Sequence, residues 1–268
     1  PGERVAPTQP FPTRPPPYER QGITEDDLID FTPELRQEAL ELVSKFKMGP
    51  LFTPPTVTNE DGTGGTIQLP GAAGGANWGS AGYDPETNII YIQSATQPSL
   101  AGLIVPDPAR SVFRYKRGGP WAVPTLPSGL PLTKPPYGRI TAIDLNKGEH
   151  VWQVAHGDGP RNPPLLSDLN LPPLGATSNS FLSASGPVVT KSLIFYSHAE
   201  VAPDGSFSKT ETWLRAFDKA NGERVWAHRL PLPPYAVPMS YMHEGKQYIV
   251  VAAGGAGQPA ALFAYALQ

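Results

Sequence analysis

The chain contains no cysteine. That excludes a disulfide framework, a thiolate-bound metal and a cysteine nucleophile, and it fits an oxidising compartment such as a periplasm. Charge is scarce as well. Charged residues make up 17% of the 268 positions and the net charge is −3, which argues against nucleic acid or an anionic membrane as the main partner. No apolar run approaches the roughly 20 residues of a membrane span. The five histidines, at 150, 156, 198, 228 and 243, fall in no metal-binding spacing. No Ser-His-Asp order stands out. The chain is therefore assigned neither a metal ligand nor a catalytic residue of its own. It opens Pro1-Gly2-Glu3, with no initiator methionine and no signal peptide, so a piece of something longer is expected.

What the chain has in abundance is proline and glycine, 34 and 27 residues. Together with short, regular apolar runs, this composition suits many short strands joined by turns better than helices or disorder. Residues 1–22, with Pro7, Pro10, Pro12, Pro15, Pro16 and Pro17, predict an extended segment along a surface, held by Phe11 and Tyr18. One helix is predicted over 32–48. Thr32 suits the N-cap and Pro33 the first helical position. Leu35, Ala39, Leu42, Val43 and Phe46 share one face, Glu41 and Lys45 are spaced to pair, and Gly49-Pro50 ends the pattern. Ahead of it, Thr24 and Asp27 are spaced like a capping box. From residue 65 the pattern changes to strands, such as Ile89–Ile92, Leu193–Tyr196 and Tyr248–Val251. Turn formers such as Asp84-Pro85-Glu86-Thr87-Asn88 bound them. Residues 98–138, again rich in proline and glycine, read as a long excursion.

An internal repeat is the strongest signal. Ala142, Asp144, Gly148, Glu149, Val151 and Trp152 recur, at identical offsets, as Ala216, Asp218, Gly222, Glu223, Val225 and Trp226. Two strands joined by a tight turn explain the spacing. Gly supplies the positive φ of the turn, Asp144 and Asp218 serve the turn, and Trp ends the second strand where it can lie against a neighbouring sheet.

The best candidate site is Gly71–Gly79, Gly-Ala-Ala-Gly-Gly-Ala-Asn-Trp-Gly. Its glycines let backbone approach a planar ligand closely, and Asn77 offers an amide donor for a ligand oxygen. A glycine-rich turn with Asn capping backbone groups remains the alternative. Without Gly-Lys-Ser/Thr it is no phosphate loop. Gly175–Pro187 and Gly254–Gly257 are further polar or glycine-rich stretches, equally readable as plain loops. Glu25, Asp26 and Asp27 suit a helix N-terminus rather than a catalytic pair.

The Ala-x-Asp-x-x-x-Gly-x-x-x-Trp pattern resembles the tryptophan-docking motif of PQQ-dependent quinoprotein dehydrogenases, eight-bladed β-propellers in which each Trp packs between blades. Further segments resemble the membrane-type glucose dehydrogenase branch: Pro7–Phe11, Leu51–Pro55, Leu69–Gly71, Gly74–Gly79, Lys134–Gly138, Gly245–Val251 and Ala264–Leu267. The resemblance implies an all-β fold, about four blades of an eight-bladed propeller with one N-terminal helix. Residues 1–268 would form the C-terminal part, with blades over 65–268, completed by the N-terminal half of the same propeller. It implies that the parent oxidises a sugar or alcohol in the periplasm with pyrroloquinoline quinone (PQQ) and Ca²⁺, and passes electrons to ubiquinone or a cytochrome. An upstream segment would supply any membrane anchor. Asn77 would contact the quinone and Trp78 pack beneath it, whereas the Ca²⁺ ligands, a catalytic Asp and a cationic residue lie upstream. Alone, the chain is expected to be inactive, to lack PQQ and Ca²⁺, and either to form homodimers or to have unusually mobile first and last blades. Some relatives carry His where Ala256 stands. The competing reading is a non-catalytic propeller serving as a binding or assembly scaffold.

Overall fold

The computed structural model describes residues 8, 10–77, 79, 81–177, 186–201, 210–255 and 257–266. Residues 14–18 of the Pro-rich start lie across the outer edge of the first large sheet. Arg14 bonds Glu149 at 3.0 Å, His150 Nε2 sits 3.0 Å from the Pro16 carbonyl, and Gln153 donates to the Tyr18 carbonyl. Phe11 meets Phe52 rather than a sheet, their ring centroids 5.6 Å apart.

Asp27 Oδ2 accepts the Thr24 amide at 2.9 Å, starting a short 3-10 turn. The helix α1 spans Pro33–Val43. Thr32 Oγ1 accepts the Leu35 amide, and Leu35, Ala39 and Val43 form its buried face. It stops at Val43, short of residue 48. The reason is competition for backbone bonds: Lys45 and Lys47 bond instead to Gly64, Gly65 and Ile67. Lys45 thus lies beyond the helix, and Gln37, not Lys45, bonds Glu41.

Strands follow in chain order. The first four are β1 (Thr56–Val57), β2 (Thr66–Gln68), β3 (Ala81–Asp84) and β4 (Ile89–Ala95). The excursion contributes β5 (Ser99–Ile104) and β6 (Lys116–Arg117), and the repeat hairpin β7 (Gly138–Asp144) and β8 (Glu149–Ala155). Next come β9 (Val188–Val189), β10 (Leu193–Val201), β11 (Thr210–Asp218) and β12 (Arg224–Arg229). Last are β13 (Met239–His243), β14 (Lys246–Gly255) and β15 (Gln258–Ala266).

These form four sheets, and the fold is the expected all-β part-propeller with one N-terminal helix. Three sheets are antiparallel meanders, ordered β3-β4-β7-β8, β9-β10-β11-β12 and β13-β14-β15. The fourth is mixed: β5 pairs in parallel with β1 and antiparallel with β2 and β6. The excursion between sheet neighbours β4 and β7 therefore builds this mixed sheet, and the meanders begin at Ala81. Against it packs α1, in a cluster that includes Ile23, Leu35, Ala39, Ile67, Leu100 and Leu132.

The meanders stack face to face. Tyr91, Ile140 and Ala142 of the first meet Ile194, Tyr196 and Phe217 of the second. Leu214 of the second meets Ile249 and Val251 of the third. At β3 and β9 the approach is tight: a Cβ on Gly82 would lie 2.6 Å from Pro187 Cγ and 2.8 Å from Val189 Cγ2. Both repeat turns form as expected. Asp144 Oδ1 accepts the Asn146 and Lys147 amides, Asp218 Oδ1 accepts that of Ala220, and Gly148 and Gly222 take φ +65° and +76°.

Candidate functional site

The Gly71–Asn77 segment forms a shelf across the end of β4 and the start of β5. The Gly71 amide bonds the Gln97 carbonyl at 3.0 Å, and the Gly75 carbonyl accepts the Ala95 amide at 2.7 Å. Ser99 Oγ accepts the Ala72 amide at 2.8 Å. Gly74 turns the chain at φ +78°. A side chain on Gly71 would strike the Gln97 carbonyl, and a Cβ on Gly75 would lie 2.6 Å from Glu19 Cγ. Glycine is needed at both positions for close approach. Asn77 follows, exposed at the end of the shelf. Trp78, the other predicted site residue, lies outside the described residues, as do residues 178–185 and Ala256.

Beneath the shelf is a buried ionic network that linear reading missed. Glu19 is 6% exposed and Arg139 5%. The Glu19 carboxylate accepts from Ser94 Oγ at 2.8 Å and from Thr96 Oγ1 at 2.6 Å, and it pairs with the Arg139 guanidinium at 3.4 Å. The contributing positions are scattered along the chain, so no local pattern marks them.

A second buried network sits between the first two meanders, beside their apolar contact. Arg215, 1% exposed, donates to Asp158 Oδ2 at 2.7 Å, to Glu200 and to His198 Nε2. Arg224 also reaches Asp158, at 3.2 Å. His156 packs on His198 with centroids 4.2 Å apart. Burial, then the neighbouring His198 and Arg215, hold His156 well below the ordinary 6.5. Burial likewise depresses His198. Burial alone would raise Glu200, but His198 and Arg215 outweigh it and hold the carboxyl down to about 2. A groove of about 230 Å³ lined by Asp158, Trp213, Arg215 and Arg224 borders this network. The geometry forms one interleaved layer between the two sheets.

Two findings bear on identity, the family match and the curated relatives. A family model described as "PQQ: Glucose/ethanol/alcohol dehydrogenase, beta-propeller domain" matches residues 1–249. The chain belongs to this quinoprotein dehydrogenase family. Among curated relatives, the quinate/shikimate dehydrogenase (quinone) of Acinetobacter baylyi is 30% identical, over 96% of this chain and 32% of the relative. The glycerol dehydrogenase large subunit of Gluconobacter oxydans is 30% identical, over 95% and 35%. The quinoprotein glucose dehydrogenase of Escherichia coli is 28% identical, over 96% and 32%. The chain thus spans about a third of the length of these relatives. Among solved structures, the quinohemoprotein alcohol dehydrogenase of Comamonas testosteroni aligns with TM-score 0.44 and 18% identity, over 82% of this chain and 29% of that one.

PQQ is the family's cofactor, and the chemistry of the shelf is compatible with the edge of a flat ligand: the backbone carries no side chain at Gly71, Gly74 and Gly75, and Asn77, an exposed residue, has an amide in its side chain. Among the described residues no group of three or more His, Asp or Glu could hold a metal ion. Between Gly71 and Asn77 the residue types are Gly, Ala and Asn. The shelf can therefore donate a hydrogen bond and orient a ligand, but it carries no acid or base. No helix among the described residues is long and apolar enough to cross a membrane.

Proposed function

We propose that this chain is the C-terminal part of a PQQ-dependent dehydrogenase that oxidises a hydroxyl group of a sugar or alcohol, and that it supplies one wall of the cofactor site. The observation that carries the reading is Asn77, an exposed residue at the end of a glycine shelf, in a chain that belongs to this family. PQQ, when bound, takes up the hydride equivalent from the alcohol carbon. Asn77 would donate its side-chain N–H to a cofactor oxygen and so favour the negative charge that develops there. Trp78 would pack beneath. The glycines would admit a flat ring edge and leave no room for water between it and the backbone.

The proton acceptor, the Ca²⁺ ligands and a cationic partner are assigned to the rest of the protein, in keeping with relatives about three times as long. The relatives' names cover glucose, glycerol and quinate or shikimate, all small molecules with several hydroxyls. Names that specify quinone and cytochrome c support ubiquinone or a cytochrome as electron acceptor, with the reaction on the periplasmic side. Trp152 wedged against the next sheet supports reading the repeat as tryptophan docking. Trp226, 41% exposed, and Leu262 on the edge strand β15, 75% exposed, suit docking by the N-terminal half of the propeller. In its absence a second copy of the chain would serve.

The test is reconstitution of the chain and of the longer parent with PQQ and Ca²⁺, followed by dye reduction over a panel of sugars and alcohols. Activity is expected in the parent and not in the chain, and Asn77→Ala in the parent is expected to lower it. Activity in neither would leave the propeller a non-catalytic scaffold.

A further inference from the structure

We infer that Glu19 is the positioning residue of the cofactor wall: its buried side chain sets the height of the Gly74–Asn77 backbone and so the reach of the Asn77 amide. The inference rests on the reading of Asn77 given above.

Its basis is a closed loop of contacts. Ser94 and Thr96 are two residues apart, so their side chains share one face of an extended strand, and both hold the Glu19 carboxylate. Between them, the Ala95 amide holds the Gly75 carbonyl at 2.7 Å. The Glu19 stem closes the loop, because its Cγ lies 2.6 Å from where a Gly75 Cβ would stand. Gly75 is thus clamped by a hydrogen bond on one side and by a methylene on the other. Asn77 is two residues further on.

Packing alone does not call for a carboxylate here. Burying a charge is expensive unless it is paired and fully hydrogen-bonded, and a leucine or glutamine would fill the same space. The carboxylate is instead held by four donors. Besides the two hydroxyls, it accepts the Arg20 amide at 3.0 Å and pairs with Arg139. Arg139 is fixed in turn by the Thr96 hydroxyl and the Pro136 carbonyl, each at 2.7 Å. Arg20 is anchored by the carbonyls of Lys134 and Pro135, both at 2.9 Å. This arrangement locks the rotamer of Glu19, which is what a supporting residue needs in order to hold a ligand-binding group in place.

The experiment is a double-mutant cycle in the full-length protein that carries this chain. PQQ affinity is read by quenching of intrinsic fluorescence, and folding by thermal melting followed with circular dichroism. Glu19→Ala should weaken PQQ binding roughly tenfold. On an Asn77→Ala background the same change should cost almost nothing further, because the group being positioned is gone. Glu19→Gln, which keeps the stem and an acceptor, should restore most of the affinity while still lowering the melting temperature. Should Glu19→Ala not fold, Ser94→Ala combined with Thr96→Val removes the anchors instead and should show the same non-additivity with Asn77→Ala. Full additivity, or wild-type affinity in Glu19→Ala, overturns the inference and leaves Asn77 as a ligand. Wild-type affinity in Asn77→Ala overturns the cofactor wall itself and the inference with it.

Discussion

Trp152 and Lys219 grip each other across the gap between two sheets. The indole N–H of Trp152 donates to the Lys219 carbonyl at 3.1 Å, while Lys219 returns its ammonium to the first sheet at Asp84 Oδ2, 2.6 Å away. Gly222 completes the seat: a Cβ there would lie 2.7 Å from a ring carbon of Trp152, and the residue has φ +76°. The second turn of the repeat therefore carries the surface on which the indole of the preceding sheet rests.

Trp152→Ala should destabilise the chain by about 3–5 kcal/mol, as expected for loss of a large packed aromatic. Gly222→Ala should also destabilise it, through both the collision and the left-handed backbone. Trp226→Ala should cost clearly less in this chain, since Trp226 is 41% exposed and stacks on His228. Urea denaturation midpoints compare the three; equal losses for the two tryptophans would mean that the seat at Gly222 contributes little.

Arg215→Met should cost about 3–5 kcal/mol, because Asp158 and Glu200 would be left buried without their shared cation. Arg215→Lys should rescue little of this. A single ammonium cannot reproduce the planar fork that serves Asp158, Glu200 and His198 together. The same denaturation series reads both variants, and a near-neutral lysine variant would refute the fork argument.

Stability should fall in two stages on acidification. His156 and His198 have folded pKa values depressed below 6.5. The unfolded chain therefore binds protons first, and stability begins to fall below about pH 6.5. Glu200, depressed from 4.5 to about 2, and Asp84, depressed from 3.8 to about 2, add a second loss between those ordinary values and about pH 2. In Asp84, burial opposes ionisation, but the Lys219 ammonium and the Thr87 hydroxyl outweigh it. Melting temperature against pH in the His156→Gln, His198→Gln double variant should lack the first stage and keep the Asp84 part of the second, with the Glu200 part reduced because His198 helps to hold that carboxyl down.

The exposed edge of β15 should make the isolated chain self-associate, since an unpaired strand edge beside apolar side chains invites pairing. Leu262→Lys, at a position 75% exposed, should shift the population toward monomer. Light scattering checks this, with hydrogen exchange on the Gln258–Ala266 strand. A monodisperse wild-type monomer with a well-protected β15 would count against an open edge.

Much of the fold was legible because its signals are local. The Thr32-Pro33 cap, the Asp and Gly of the repeat turns and the short apolar runs each specify geometry within a few residues, and each forms as read. The end of α1 was not legible, because the backbone of Lys45 and Lys47 is claimed by residues 64–67, a partner that no window of helical periodicity contains. Nor was the role of the excursion, whose strands β5 and β6 leave one meander to build a different sheet with α1.

At the candidate site the division follows the same rule. Glycine density and a lone amide donor marked the shelf from the sequence alone, since both are properties of consecutive residues. What lies under it was decided only by the tertiary structure. Glu19, Ser94, Thr96 and Arg139 become neighbours when β4 and β7 pair and the proline-rich strap crosses their ends. Covalent order sets turns, caps and repeats, because these are satisfied within one stretch of chain. Buried charges need donors from several stretches at once, so their pairing exists only after the sheets have packed.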